Sequence, residues 1–483
     1  MKKIVNNSVF SAAVASTFLA APTVAADPTH ANEGKMASNW IQANVSNGFT
    51  LTAVGDLIIT EPIHQRMKRT SPDLLKLLQN ADVIFGNFED TAIDINKFGG
   101  YPDAMSGGGW LISSPKVPAD LRAMGFNLVA RANNHTTDWG VKGMRYTNNL
   151  LDEAGITHAG TGETLAEARA ARILSVPAGR ISLVSIASRF ELNSRAADPL
   201  GQIPGRPGLN ALRTTRYVMV SPERLAVLAK IRDAQPKGSV RKSLLESDAK
   251  TDTVTLFGTK YRASPGIGDG LAFTFSMDAQ DRKEIIRAVR QGKQTSDFAI
   301  ATIHTHEPGN YSDVPPDFLP ILARESIDNG ADAFIGHGPH QLRGIEIYKG
   351  KPIFYSLGNF FFMDNTQQPI TRDEFEKDKV DPASMTEAEF MEMRRVHGVF
   401  KERVWFESAV AVSRFDEQGN LREIRLHPIE LHWEGGRDAD RGIPRIASPE
   451  VAKRVLEQLQ KLSRPFGTKI DIQNGVGLIR VGA

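Results

Sequence analysis

The chain reads as an α/β protein on two patterns. Short apolar strands alternate with amphipathic helical stretches along most of residues 49–362, and residues of metal-ligand type recur just where those strands end. Size agrees: 483 residues, 41% hydrophobic and 24% charged, can bury a large core in one or two domains. Lys and Arg number 58 against 56 Asp and Glu, a net charge of +2 with the signs mixed, so nothing favours nucleic acid or acidic membranes as a partner. With no Cys, disulfides, thiolate-bound zinc, iron–sulfur clusters and thiol catalysis are excluded.

The N-terminus reads as an export signal. Lys2 and Lys3 precede an apolar run, Val9–Ala21, and small residues Val24-Ala25-Ala26 follow it. The alternative, a membrane anchor, needs ~20 apolar residues, and this run is shorter. Residues 1–26 are therefore taken as a signal peptide cleaved after Ala26, placing the chain in the periplasm or outside the cell. Residues 27–48 are a lead-in.

The first strand, Phe49–Val54, runs into Gly55-Asp56. Asp56 is a candidate metal carboxylate, or alternatively a helix cap. A helix over Pro62–Leu78 and a strand over Asp82–Gly86 lead to Asn87-Phe88-Glu89-Asp90, where alternation sets Asn87 and Glu89 on one side. Glu89 is a candidate bridging carboxylate. The Gly-rich loop Gly99–Gly109 lacks the Lys-Ser/Thr ending of a phosphate cradle and reads as a rim. Helix Pro118–Met124 and strand Leu128–Ala130 deliver Asn133-Asn134-His135, with Asp138 three residues on. This is either an amide ligand beside a general acid or a hydrogen-bonded turn.

Helices Tyr146–Glu153 and Thr164–Ala170 alternate with strands Thr157–Ala159, Ala171–Val176 and Ile181–Ser188. Regularity then lapses, and residues 190–275 read as an insertion without clear strands, carrying a helical piece Pro222–Asp233. Its Arg206, Arg213, Arg216, Arg241 and Lys242 could meet an anion, or form an ordinary solvated surface. Helix Ala279–Gln291 and strand Phe298–Ile303 lead to His304-Thr305-His306-Glu307, with both imidazoles on one face. Helix Asp317–Asn329 returns the chain to strand Ala333–Ile335 and the run GHGPHQLRGIEIYKGKPIFYSLGNFFF. There His337 and His340 leave a buried strand on a loop whose glycines admit close approach. Strands Leu342–Tyr348 and Pro352–Ser356 follow, then a peripheral helix around Met385–Arg395. A hairpin, Val404–Phe415 with Leu421–Ile429, is expected at the sheet edge, and helix Pro449–Leu462 comes last.

Five of the 11 His fall in three clusters that each follow an apolar strand, as do Asp56 and Glu89. Five strand exits thus converge on one expected metal site. Hard donors without thiolate suit manganese, iron or zinc, and their number suggests two divalent ions.

Gly55-Asp56, GNFED at 86–90, ANNHTTDWG at 132–140 and the run from Ile335 to Phe362 resemble the CapA-type poly-gamma-glutamate capsule-biosynthesis proteins, relatives of the calcineurin-like metallophosphatases. The resemblance implies a four-layer α/β/β/α sandwich with the long insertion, completed by strands and a helix within 363–483. By the same resemblance Asp56 and His340 hold one ion, Glu89 bridges, and Asn134, His304 and His337 hold the second. His135, helped by Asp138, protonates a leaving group. Ile58 stands where the metallophosphatases carry a His, Glu89 stands for their Asp, and His304-Thr305-His306 replaces His-Trp-Gly, so His306 is a further candidate ligand.

The function implied is a metal-dependent hydrolase or transferase acting on an amide or phosphoester in the synthesis, export or trimming of an acidic capsule-like polymer. The partners implied are an anionic polymer or small anionic substrate, and membrane-bound capsule synthase components. The alternatives are a general phosphoesterase and a non-enzymatic capsule-assembly factor.

Overall fold

A face-to-face pair of sheets forms the centre of the computed structural model, which describes residues 44–105, 107–235, 252–398, 401–433 and 438–481. The segment expected to be a signal peptide, most of the expected lead-in, Arg241 and Lys242 lie outside the described residues. The first sheet runs Asp471–Gln473, Val476–Arg480, Leu421–Glu430, Glu407–Phe415, Thr50–Ile58, Val83–Phe88, Leu128–Ala130, Thr157–Ala159. The second runs Ile345–Tyr348, Lys351–Phe354, Ala333–His337, Phe298–His304, Gly179–Ala187, Arg172–Val176.

Strand alternation builds four layers from these two sheets. Leu51, Ala53, Val83, Phe85 and Leu128 face Ile181, Leu183, Phe298, Ile300 and Ile335 in one core between the sheets. The intervening residues of the first sheet, Val54, Ile84 and Val129, pack outward against Leu74, Leu78 and Leu121 of the helices Pro72–Gln79 and Val117–Met124. Those of the second, Val184, Ile186, Ala301 and Phe334, pack against Ile285, Val289 and Leu322 of helices Ala279–Gln294 and Phe318–Asp328. The result is the α/β/β/α sandwich. Phe49, Phe298 and Phe415 lock its far end, with ring centroids 4.9, 4.8 and 5.9 Å apart. Each such pair adds roughly 0.5–1.5 kcal/mol beyond its buried area.

Four expectations change. The helix at Pro62–Leu78 is two helices, His64–Thr70 and Pro72–Gln79, because Pro72 starts a new helix at its first position. The hairpin lies inside the first sheet, since Glu407–Phe415 pairs antiparallel with the opening strand and Leu421–Glu430 with Val476–Arg480. Its unbroken apolar stretch Ala409–Val412 suits a strand covered on both faces. Asn359–Phe362 is an additional strand, parallel to the first. It can approach because residue 55 is Gly: a Cβ there would sit 1.8 Å from the Gly358 carbonyl oxygen.

The insertion also has a sheet of its own, Thr253–Leu256, Thr259–Ala263, Thr214–Val220 and Ala272–Met277, beside helix Pro222–Asp233. Three of these strands, Thr214–Val220, Thr259–Ala263 and Ala272–Met277, are largely half exposed on both faces, which removes the apolar alternation that would have announced them. The insertion's ends meet where Asp278 N–H donates to the Arg213 carbonyl at 2.8 Å.

Candidate metal centre

Parallel pairing brings the chemistry to one edge. Asp56 lies in register with Asn87 on one side and Asn359 on the other, while His304 lies in register with His337 across the second sheet. The carboxyl ends of both sheets therefore open on a common point, the usual ligand position in such sheets.

Two groups of donors form there, each with its atoms within 4.8 Å of one another: Asp56, Glu89 and His340, and Glu89, His304 and His306. Glu89 belongs to both. We call them the inner and outer groups. Glu89 Oε1 is buried without a hydrogen-bond partner, 3.4 Å from His304 Nε2 and 3.9 Å from His340 Nε2. A buried carboxylate oxygen aimed at two imidazoles, with no donor satisfying it, is what a cation would complete. The donor set, carboxylate, imidazole and amide without thiolate, fits a divalent metal.

The inner group is held tightly. Asp56 Oδ1 accepts from Asn87 Nδ2 at 2.8 Å and Oδ2 from the Gly338 N–H at 3.2 Å, with His340 Nδ1 at 3.5 Å. Gly338 is needed, since a Cβ there would meet the Thr305 carbonyl oxygen at 2.8 Å and its φ is +110°. His340 itself sits at φ +57°, uncommon for a residue with a Cβ, and Asn359 pins it. The Asn359 Oδ1 lies 2.9 Å from His340 Nδ1, and its Nδ2 donates to the His340 carbonyl at 3.2 Å.

In the outer group His304 Nε2 and His306 Nε2 stand 2.8 Å apart, and Asn134 Oδ1 is 3.2 Å from His306 Nε2. Asn310 Oδ1 holds the far nitrogen of His306 at 2.7 Å. Arg343 keeps that loop in place from behind, donating to the carbonyls of Glu307 at 2.8 Å and Ser312 at 3.3 Å, and Gln341 bonds the Asn310 carbonyl. Arg131, fully buried, donates to the carbonyls of Phe88 and Asp90 at 2.8 and 2.7 Å and so fixes the backbone on both sides of Glu89.

His337 stands apart. Its Nε2 is 3.2 Å from the Val54 carbonyl, its Nδ1 3.3 Å from Thr302 Oγ1, and its ring meets the edge of Phe85. Neither donor group includes it, because as the last strand residue it points between the sheets rather than out of the edge. His135 also stands outside both groups. Its Nδ1 pairs with Asp138 Oδ2 at 2.7 Å, and Asp138 does not cap the following helix. Gly107 of the rim lies against His135, where a Cβ would come 2.0 Å from Nε2.

Electrostatics fit a cation. Burial lifts Asp56, but the His340 hydrogen bond and the nearby imidazoles of His337, His340 and His304 outweigh it and hold the carboxyl well below its ordinary range. Burial and the neighbouring Asp56, Asp90 and Asp138 push Glu89 well above its own. Burial, with His306 beside it, drives His304 far down, and burial with His340 lowers His306 to about 3. Both shifts favour the neutral, ligating form of His304 and His306.

The outer group borders a cleft of about 650 Å³ whose walls include Arg189, Arg213, Arg216, Glu307 and Asn310. Arg213 is tied to Asp281 and Asp278, whereas Arg189 and Arg216 have no acidic partner among the described residues. Sequence reasoning missed Asn87, Asn310, Asn359, Arg189 and Arg343. For Asn87 the alternation with Glu89 was the available signal, and for Arg343 its place three residues after His340.

Comparison with known proteins points to a family. The family model "Bacterial capsule synthesis protein PGA_cap" matches residues 50–364. Two proteins of Sinorhizobium fredii, y4sH and y4uA, are each 47% identical over 460 residues, covering 93% of this chain and 97% of theirs. Capsule biosynthesis protein CapA of Bacillus anthracis is 23% identical, covering 68% of this chain and 65% of its own length. PGA biosynthesis protein CapA of Bacillus subtilis is 22% identical, covering 68% and 67%.

Proposed function

The chain belongs to the PGA_cap family of bacterial capsule synthesis proteins, and from that premise we propose that it is an exported, metal-dependent enzyme. Its substrate would be an acidic, glutamate-containing capsule-like polymer, cut or transferred at an amide bond. The observation that carries this reading is Glu89, shared by two donor groups at the foot of an arginine-bearing cleft. Asp56, Glu89 and His340 would hold one divalent ion, and Glu89, His304, His306 and Asn134 a second, with manganese, iron or zinc suited to these donors. Such ions activate a nucleophile and neutralise charge developing on the attacked group.

The chain's own residues do the rest. Arg189 and Arg216 attract the polyanion, which would place one of its amides over the outer group. Asn87 and Asn359 keep Asp56 and His340 aimed. His135, oriented by Asp138 at 2.7 Å, is placed to hand a proton to a leaving group. That pair equally favours a phosphoesterase, the second reading.

The test is metal content of the mature chain, run beside metal-dependent release of amino groups from poly-gamma-glutamate and of alcohol from a simple phosphodiester. Bound metal with amine release supports the proposal. Turnover of the phosphodiester alone selects the second reading, and a chain that binds no metal overturns both. For location, the check is whether the secreted or periplasmic form begins near Asp27. Among the described residues no helix is long and apolar enough to cross a membrane.

A further inference from the structure

The cleft beside the outer group is not uniformly basic. Glu307 follows His306 directly and lines the same wall as Arg189 and Arg216. Its Oε2 accepts from the hydroxyls of Ser188 at 2.8 Å and Thr305 at 2.5 Å. Both donors come from strand exits, Ser188 after Gly179–Ala187 and Thr305 after Phe298–His304. Its backbone carbonyl is held by Arg343 at 2.8 Å. Two hydroxyls donating to one oxygen fix the Glu307 side chain in place. Oε1 has no hydrogen bond among the described residues, and no Lys, Arg or His forms an ion pair with Glu307 there.

A carboxylate held in place beside the two arginines would repel a plain polyanion. A ligand with a primary ammonium near its carboxylates turns that repulsion into a charge-assisted bond. We propose that this cleft binds the free amino end of an amino-acid oligomer, Glu307 taking the ammonium while Arg189 and Arg216 take carboxylates. The inference rests on the polymer reading above and sharpens it: the enzyme would work from a chain end, and phosphate esters, which lack the ammonium, would be poor ligands. A cleft of about 650 Å³ is the size of sites that enclose a small ligand, here one or a few residue units.

The test is equilibrium binding of two probes to the metal-loaded full chain: a short gamma-linked glutamate oligomer with a free amino end, and the same oligomer N-acetylated. The parent should prefer the free end by at least about tenfold, a difference of about 1.4 kcal/mol. Glu307→Gln, which keeps the size of the side chain and an acceptor for the two hydroxyls, should erase the preference without weakening the acetylated probe. Arg216→Gln should weaken both probes and keep the preference, which guards against a Glu307 variant that fails to fold. Equal binding of the two probes by the parent overturns the ammonium site and leaves the polymer reading standing. Binding of neither probe overturns both.

Discussion

In the inner group Asp56 and His340 are buried and already engaged: Asp56 by Asn87 and Gly338, His340 by Asn359. In the outer group His306 is half-buried where His340 is buried, although both line the cleft, and it is steadied from a loop rather than from a strand. The two share Glu89, and Asn87 Nδ2 reaches both Asp56 Oδ1 at 2.8 Å and His304 Nδ1 at 3.0 Å. The contrast is between a histidine pinned by an amide on a strand and one held from a loop at the same cleft. A ligand braced by amides on strands holds its geometry to within tenths of an ångström, while one braced from a loop can yield to an incoming group.

The largest way to break the contrast is to remove what the groups share. Glu89→Gln should empty both, a loss of affinity beyond the roughly 10–100-fold that an outer partner costs, and metal analysis after dialysis reads it. Next, single-ligand variants should separate the groups. His306→Ala is expected to drop one equivalent of metal and keep the other, whereas His340→Ala should lose the tightly held one, and a stoichiometric metal titration distinguishes them. Equal losses in the two variants would mean that the groups act as one site.

His337→Ala sharpens the comparison from outside. Metal content should equal the parent's, and thermal unfolding should show a loss of roughly 2–4 kcal/mol from the cavity and the unpaired Val54 carbonyl. The smallest effect concerns pH. Burial lifts Asp138 to about 6 from 3.8 against the opposing pull of His135. A carboxyl raised on folding stabilises below its unfolded value, and that contribution is lost as pH rises through the folded one. The metal-free chain should therefore lose stability, on the order of a few kcal/mol, between pH 3.8 and about 6. Asp138→Asn should flatten that slope in melts taken across the range.

The sandwich was legible because buried strands such as Phe298–His304 are short, apolar and bounded, and because Asp56, Glu89, His304 and His340 sit at their ends. What could not be read was direction within an exit. His337 and His340 are three residues apart, yet the first ends a strand pointing between the sheets and the second turns out at positive φ. Pattern alone makes them equal. The insertion's sheet escaped for the opposite reason, since strands solvated on both faces carry no apolar period. Arg189 and Glu307 come from strand exits far apart in sequence, so their meeting in one cleft depends on sheet order, which local sequence does not encode.

The sheet-bearing part of the insertion leaves and re-enters at neighbouring points: Thr214 pairs with Met277 in its first and last strands, and Arg213 and Asp278 close the gap. A segment whose two ends touch can be exchanged for another without moving anything it is spliced into. The stretch behaves as a cassette. A chimera carrying another chain's segment between Arg213 and Asp278 should keep its metal while changing which molecules the cleft admits, so selectivity here could be re-engineered independently of the chemistry.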